Sequence, residues 1–403
     1  MLPTAAALAG HEAPPLGLEA AYEWHEGAAS GLVRGRARWP AADAPPSPYA
    51  RLPASAEASL RAPVYALSRS AAGVQLGFET DSRAVAARWR TVGHSTAEVT
   101  VPLLLCGGAD LYVYDGGGAA PRWQWLGDAM NVTVEGGEVA KNGTSYQLPI
   151  VSLPADGGTR AYLLNLPMYT EVLSFELGVL PGSSIAPLGS SAATPAGAVS
   201  AARPVVWYGT SITQGAAASR PGAAHTNAVS RGLGVEVYNY GFSGHGFMET
   251  SVGEYLAQIN ASVYVIDCLH NMNATLVTSN AEPLVRQLRA KRPETPIVLA
   301  EGPPYGRSWR GDIDGSRHNQ LQRRAALRAA YERLQAAGVK GLHYGVPGDE
   351  LFSGLPGAEA VAWQPTVAGT HPTDLGMAAM AASWIKTLPT VAPELAKAAD
   401  TLL

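Results

Sequence analysis

The feature that most constrains the fold lies after residue 204, where apolar runs of strand length alternate with helical stretches. "PVVWYG", "VEVYNYG", "SVYVIDC", "PIVLAEG" and "GLHYG" are near-continuous in apolar residues. Strands buried on both faces need that pattern, and helical crossovers between them make the sheet parallel. One helix is expected in "NAEPLVRQLRAKR", with Pro283 early, where its missing N–H costs little. Another is expected in "SRHNQLQRRAALRAAYERLQAAG", opened by Ser316 as N-cap and closed by Gly338. Residues 204–390 therefore read as an α/β domain. A chain of 403 residues, 47% hydrophobic, can bury a core of that size.

Upstream the period changes. Over 46–180, short alternating segments such as "GVQLGFETD", "AVAARWRTV", "AEVTVPLLL", "ADLYVYDG" and "RAYLLNLP" recur about every ten residues between Gly, Pro, Asp and Asn. This is the pattern of an antiparallel β-sandwich. Residues 181–203, rich in Ser, Ala, Pro and Gly, read as a linker. Residues 1–45 read as an irregular segment with one aromatic patch, "AAYEWHEG", and 391–403 as a tail. The net charge of −4, with scattered Lys and Arg, marks no nucleic-acid surface, and no apolar run reaches the length of a membrane span. Cys106 and Cys268 are expected as buried free thiols. The start "MLPTAAALAG" lacks a basic region, while sequons at Asn131, Asn142, Asn260 and Asn273 favour the secretory pathway, with the cytoplasm as the alternative.

Four features then fall after successive strand ends: Ser211 in "GTSITQG", the glycines of "NYGFSGHG", Asn271 in "HNMN", and His371 in "TVAGTHPTDLG". Each has an ordinary reading: a helix cap, a glycine turn, a turn asparagine, a surface histidine. Together they supply what acyl transfer needs: a nucleophile, a base and oxyanion donors. In a doubly wound sheet the carboxyl ends of the strands converge on one crevice, so long sequence separations are acceptable.

At these residues the chain resembles the SGNH, or GDSL-like, hydrolases. "GTSITQG" is similar to their first block with Thr210 for the usual Asp, "GFSGHG" to the second, "HNMN" to the third and "THPTDLG" to the last. "GADLYVYDG" (108–116), "RLP" (51–53), "LSRSAAG" (67–73) and "LNLPMY" (164–169) resemble the GxDLY β domain of one branch. The resemblance implies a three-layer α/β/α flavodoxin-like domain preceded by a jelly-roll-like antiparallel β-sandwich. It implies esterase or deacetylase activity, often on acylated carbohydrate, with no metal or organic cofactor. It implies Ser211 as nucleophile, His371 as base, and the Ser211 N–H, the Gly244 N–H and the Asn271 side chain as the oxyanion hole, with Gly241 the lesser candidate. The departure is the acid: where relatives read Asp-x-x-His, this chain has Ala368. An acid-to-alanine variant, a Ser–His dyad supported by a backbone carbonyl, and replacement by another carboxylate, Asp374 among them, all remain open.

Arg220, His245 and His270 are possible substrate contacts, with an ion pair or a surface position as the plainer reading. His225 is a further loop histidine, Asp267 a strand-end turn residue or alternative acid, and Cys268 a packed thiol rather than a rival nucleophile. Trp123 and Trp125 are sheet packing or a sugar-stacking face. The expected substrate is a small-molecule or carbohydrate ester. A lipase or thioesterase for longer chains and an inactive carbohydrate-binding protein are the alternatives.

Overall fold

A computed structural model describes residues 22–396 apart from 93–99, 117–121, 131–133, 136–137, 140–144, 153–157, 191–193, 195–197, 307–315, 354 and 356–364. Two antiparallel sheets form the first unit. One runs Glu23–Glu26, Val172–Val179, Ala84–Thr91, Ser145–Ser152. The other runs Ile185–Pro187, Gln75–Thr80, Arg160–Asn165, Ala109–Asp115, Arg122–Ala129, with Val33–Arg34 also on Gln75–Thr80. Their inner faces share one core, in which Phe78 stacks on Tyr162 at 5.1 Å and Trp89 on Phe175 at 5.2 Å.

Three expectations change here. The "EWHE" of the segment read as irregular is an edge strand, and Ile185–Pro187 of the presumed linker is another. The end of "AEVTVPLLL" is a helix, Leu103–Gly107, because Pro102 opens it and its residues fold back onto the core; 93–99 of that segment lie outside the described residues, as do Asn131 and Asn142.

The second unit is a five-stranded parallel sheet in the order Val237–Gly241, Val205–Gly209, Val263–Asp267, Ile297–Leu299, Leu342–Tyr344. Counted along the chain this is 2-1-3-4-5, the flavodoxin-like order, whose crevice lies between the first and third strands. Helices Thr250–Leu256, Ala274–Lys291 and Ser316–Ala336 cover one face through Val252, Leu284, Leu288, Leu327 and Leu334. Helices His225–Leu233 and Asp374–Val391 cover the other through Val229, Met380 and Trp384. Pro283 is not in a first turn, as the sequence suggested. The helix begins nine residues earlier, at Ala274, because the Asn273 side chain caps it by accepting from the Leu276 N–H at 2.9 Å. Ser316 is the first residue of its helix, Ser316–Ala336, and the residues before it lie outside those described. Cys106 and Cys268 are buried and unbridged. Among the described residues no helix is long and apolar enough to cross a membrane, and no cluster of His, Cys, Asp and Glu could hold a metal ion.

Candidate active site

The strand Val205–Gly209 ends in Thr210, whose side chain accepts from the Ile212 N–H at 3.2 Å and so caps the short helix Ser211–Gln214. Threonine thereby does the capping that an aspartate would do at this position. Ser211 is 6% exposed, and its Oγ lies 2.9 Å from His371 Nε2. The Tyr169 hydroxyl, from the β-sandwich unit, donates to the Ser211 carbonyl at 3.2 Å.

His371 follows a tight turn. Thr366–Val367 pairs antiparallel with His371–Pro372, and the Thr370 N–H donates to the Val367 carbonyl at 3.1 Å. The two central residues, Ala368 and Gly369, have φ of 53° and 75°. Left-handed values at both centres match a type I′ turn, which favours Asn-Gly or Asp-Gly. The three non-glycine residues with positive φ among the described residues are Ala217, Met248 and Ala368, and all lie in the loops around Ser211 and His371. Backbone strain of this kind concentrates at functional sites.

The second block shows which glycine can donate. The Gly241 N–H goes to Asn239 Oδ1 at 2.8 Å, that of Phe242 to the Gly209 carbonyl at 3.0 Å, and that of Ser243 to Gln214 Oε1 at 2.9 Å. The His245 N–H goes to the Phe242 carbonyl at 2.8 Å and that of Gly246 to Asn271 Oδ1 at 3.1 Å. The Gly244 N–H alone in this run has no acceptor among the described residues. Gly244 has φ of 70° in the 242–245 turn, and a Cβ there would meet nothing within 4 Å, so this glycine is not required by close packing. At Gly241 a Cβ would sit 2.2 Å from the Gln214 N, so that glycine serves close packing. With Oδ1 of Asn271 held by Gly246, its Nδ2 has no acceptor among the described residues.

Other predicted residues have defined places. His245 Nδ1 lies 3.2 Å from Arg61 Nη1, and Arg61 also ion-pairs with Glu249. Burial and the Arg61 charge lower the His245 pKa. Arg61 was not singled out in the sequence. His270 packs on Tyr305 at 4.9 Å, and burial, aided by Arg323 and Arg324, pushes its pKa down to about 3.

Arg220 sits at the boundary of the two units: its guanidinium lies 3.2 Å from Asp110, 3.6 Å from Asp374 and 5.3 Å over the Trp125 ring. Asp110 also accepts the Gly222 N–H at 2.8 Å, and Arg231 lies 3.8 Å over the Tyr112 ring. The Asp and Tyr of the GxDLY signature thus clamp one unit to the other. Asp374 takes the N–H and hydroxyl of Ser219 at 2.7 and 2.5 Å, in the first turn of the last helix. Asp267 is buried, and burial raises its carboxyl to about 6. Cys268 is buried under a burial-raised pKa, its Sγ 3.7 Å from the Tyr208 carbonyl. Trp123 packs edge-on to Tyr114 at 5.2 Å, whereas Trp125 is 48% exposed.

His225 is not a site residue: it is fully buried, edge-on to Trp207 at 5.1 Å, because its helix turns it toward the sheet. Burial lowers its pKa to about 3, and neither ring nitrogen has a hydrogen-bond partner among the described residues. The unfolded chain therefore binds this proton first as pH falls below about 6.5, and folding stability drops toward pH 3. His225→Phe is expected to remove up to about 1.4 kcal/mol per pH unit from the acid slope between pH 6 and 4. Urea titrations of both proteins at pH 7, 6, 5 and 4 read this directly; parallel slopes would show that His225 is not the group responsible.

A cavity of about 470 Å³ adjoins the His371 turn, lined by Asn273, Asn319, Gln322, Tyr305, Arg323 and Thr370 among others. The cation among its described lining residues is already engaged: Arg323 donates to the Leu269, Met272 and Asn319 carbonyls and to the Tyr305 hydroxyl at 3.0–3.2 Å.

Two family models match the chain. One, described as the GDSL-like lipase/acylhydrolase family, matches residues 202–389. The other, the GxDLY N-terminus of SGNH-hydrolase-type esterases, matches 22–185. No curated protein matches. Among solved structures, a protein described as a GDSL-like lipase from Bacteroides ovatus is 27% identical, with a TM-score of 0.76 over 92% of this chain and 98% of that one. A salicylyl-acyltransferase from a tetracycline biosynthetic pathway is 20% identical, with a TM-score of 0.60 over 84% and 88%. A family two carbohydrate esterase from Clostridium thermocellum, solved with cellohexaose, is 13% identical, with a TM-score of 0.50 over 79% and 92%. The last two are likenesses of fold.

Proposed function

The chain belongs to the GDSL-like lipase/acylhydrolase family, and on that premise we propose that it is a serine esterase removing short acyl groups, acetyl foremost, from a hydroxyl-rich, carbohydrate-like substrate. The observation that carries the reading is Ser211 Oγ at 2.9 Å from His371 Nε2, together with three donors that have no acceptor among the described residues: the N–H groups of Ser211 and Gly244 and the Asn271 amide. His371 Nε2 takes the hydroxyl proton as Ser211 Oγ bonds to the acyl carbon. The carbonyl oxygen becomes an oxyanion held by the three donors. Collapse breaks the ester C–O bond, and His371 returns the proton to the departing alcohol. A water molecule, deprotonated by His371, repeats the cycle on the acyl-serine and releases the carboxylic acid.

Amide and hydroxyl side chains around the cavity support a polar alcohol and a short acyl group over a long chain. A buried octanoyl chain would strip water from those groups without replacing the hydrogen bonds, at about 1–3 kcal/mol for each group left unsatisfied. The match to the GDSL-like lipase/acylhydrolase family model supports the same acyl-transfer chemistry. The test compares p-nitrophenyl acetate with p-nitrophenyl octanoate. Acetate is expected to lead in kcat/KM by at least about tenfold, the equivalent of one such unmade bond. An octanoate preference would overturn the substrate assignment in favour of a lipase.

A further inference from the structure

Arg51 comes from the β-sandwich unit, yet its side chain ends behind the second catalytic block. It is 1% exposed. Its Nη1 donates to the Asn239 and Gly241 carbonyls, both at 2.8 Å; its Nη2 donates to the Leu67 carbonyl at 2.6 Å and Ser70 Oγ at 3.2 Å; its Nε donates to the Ser70 carbonyl at 3.1 Å. All five guanidinium N–H groups are thereby used, every one on a neutral oxygen. Among the described residues, the titratable groups that bear on it are the hydroxyls of Tyr240 and Tyr169, with no carboxylate among them. The guanidinium also lies 5.1 Å over the Phe242 ring. A buried cation without a counter-ion is costly, and a neutral residue could tie two loops together more cheaply.

The location gives the charge a use. Arg51 grips the last residues of the strand that leads into Phe242, Ser243 and Gly244. Ser70, which it also holds, meets Gln214 Nε2 at 3.4 Å, and Gln214 Oε1 holds the Ser243 N–H. Gln214 belongs to the Ser211 helix. One guanidinium is therefore linked to both peptide segments whose N–H groups face the site.

We propose that Arg51 is a positioning residue for oxyanion stabilisation: it fixes the Gly241–Gly244 turn relative to Ser211, and its buried, unpaired charge biases the donors toward an anion. The inference rests on the esterase reading above. It explains why the β-sandwich unit is integral to the site rather than an appended module.

The test uses the full chain with Arg51→Met and Arg51→Lys, and ethylboronic acid as a probe that forms an anionic tetrahedral adduct on a serine. Arg51→Met is expected to weaken boronate binding and lower kcat on p-nitrophenyl acetate together, by on the order of 10- to 100-fold, with KM within about threefold. Loss of a direct oxyanion donor gives roughly 10²–10³-fold, and an indirect contribution falls below that. Arg51→Lys keeps a charge and recovers most of the affinity near pH 7. A buried lysine loses its proton at lower pH than an exposed one, so the ratio of parent to Arg51→Lys boronate affinity should rise between pH 7 and 9. That ratio decides the matter if Arg51→Met does not fold. A flat ratio, or a folded Arg51→Met with parental kcat and boronate affinity, overturns the proposal. A Ser211→Ala control separates the two levels: if it leaves boronate binding and turnover unchanged, the esterase reading has failed and this inference falls with it.

Discussion

Ala368→Asp is expected to raise kcat on p-nitrophenyl acetate by about 10³–10⁴-fold, whereas Ala368→Asn changes it less than about tenfold. The scale comes from catalytic triads, where replacing the aspartate by its amide lowers kcat roughly 10⁴-fold with the geometry intact. Such an acid orients the imidazole, fixes its tautomer and stabilises the imidazolium. Position 368 suits it on two counts. It stands three residues before His371, and it occupies the first centre of a turn with φ of 53° and 75° at 368 and 369. An L-residue with an ordinary side chain loses about 1–2 kcal/mol in the left-handed region, while Asp and Asn tolerate it better. Both substitutions should therefore stabilise the fold by similar amounts, under about 1 kcal/mol in urea titration. Only Asp adds the carboxylate. Equal rates for Asp and Asn would show that position 368 does not supply the acid in this enzyme. Asp374 is a poor alternative, since the Ser219 N–H and hydroxyl occupy its two oxygens.

The approach of Ser211 to His371 was legible because both follow strand and loop ends that a parallel sheet must gather at one edge. A parallel sheet covered on both faces followed from apolar runs too continuous for a half-exposed sheet, whereas apolar runs carry no strand order, and 2-1-3-4-5 is read from the structure. Choosing Gly244 over Gly241 by resemblance became a physical statement only once neighbouring N–H groups could be assigned acceptors. Arg51 had no local signal. Its partners at 67, 70, 239 and 241 are mostly backbone carbonyls, which carry no residue identity and lie up to 190 positions away. Arg61 is similar, since its ion pair with Glu249 spans 188 positions. Pro283 misled for a different reason. Proline is best tolerated in a first turn, yet the Asn273 cap and the packing of Val277, Ala281 and Leu284 carry the helix through it. His225 lies in a loop-like stretch of small and polar residues, where nothing in the pattern announces burial against Trp207.

Ser211→Ala is expected to have an effect that depends on residue 368. In an Ala368→Asp background the loss in kcat should approach 10⁶-fold, and in the parent about 10²-fold. The difference follows from the way triad members act as a unit. In a serine protease, loss of the serine alone costs about 2 × 10⁶ and loss of the acid alone about 3 × 10⁴, and removal of all three costs no more than the serine. Once the acid is gone, roughly 60-fold remains for the serine to lose. Both Ser211→Ala proteins should converge on the same residual rate, set by the oxyanion donors and substrate binding rather than by the nucleophile. Gly244 and Asn271 do not depend on the Ser211 hydroxyl for their own hydrogen bonds, so the substitution leaves those donors in place. The double-mutant cycle therefore measures the coupling between residues 211 and 368. A coupling near zero, with Ser211→Ala costing the same in both backgrounds, would mean that Ser211 is activated without help from position 368. A parent whose rate is unchanged by Ser211→Ala, in both backgrounds, would remove Ser211 as the nucleophile.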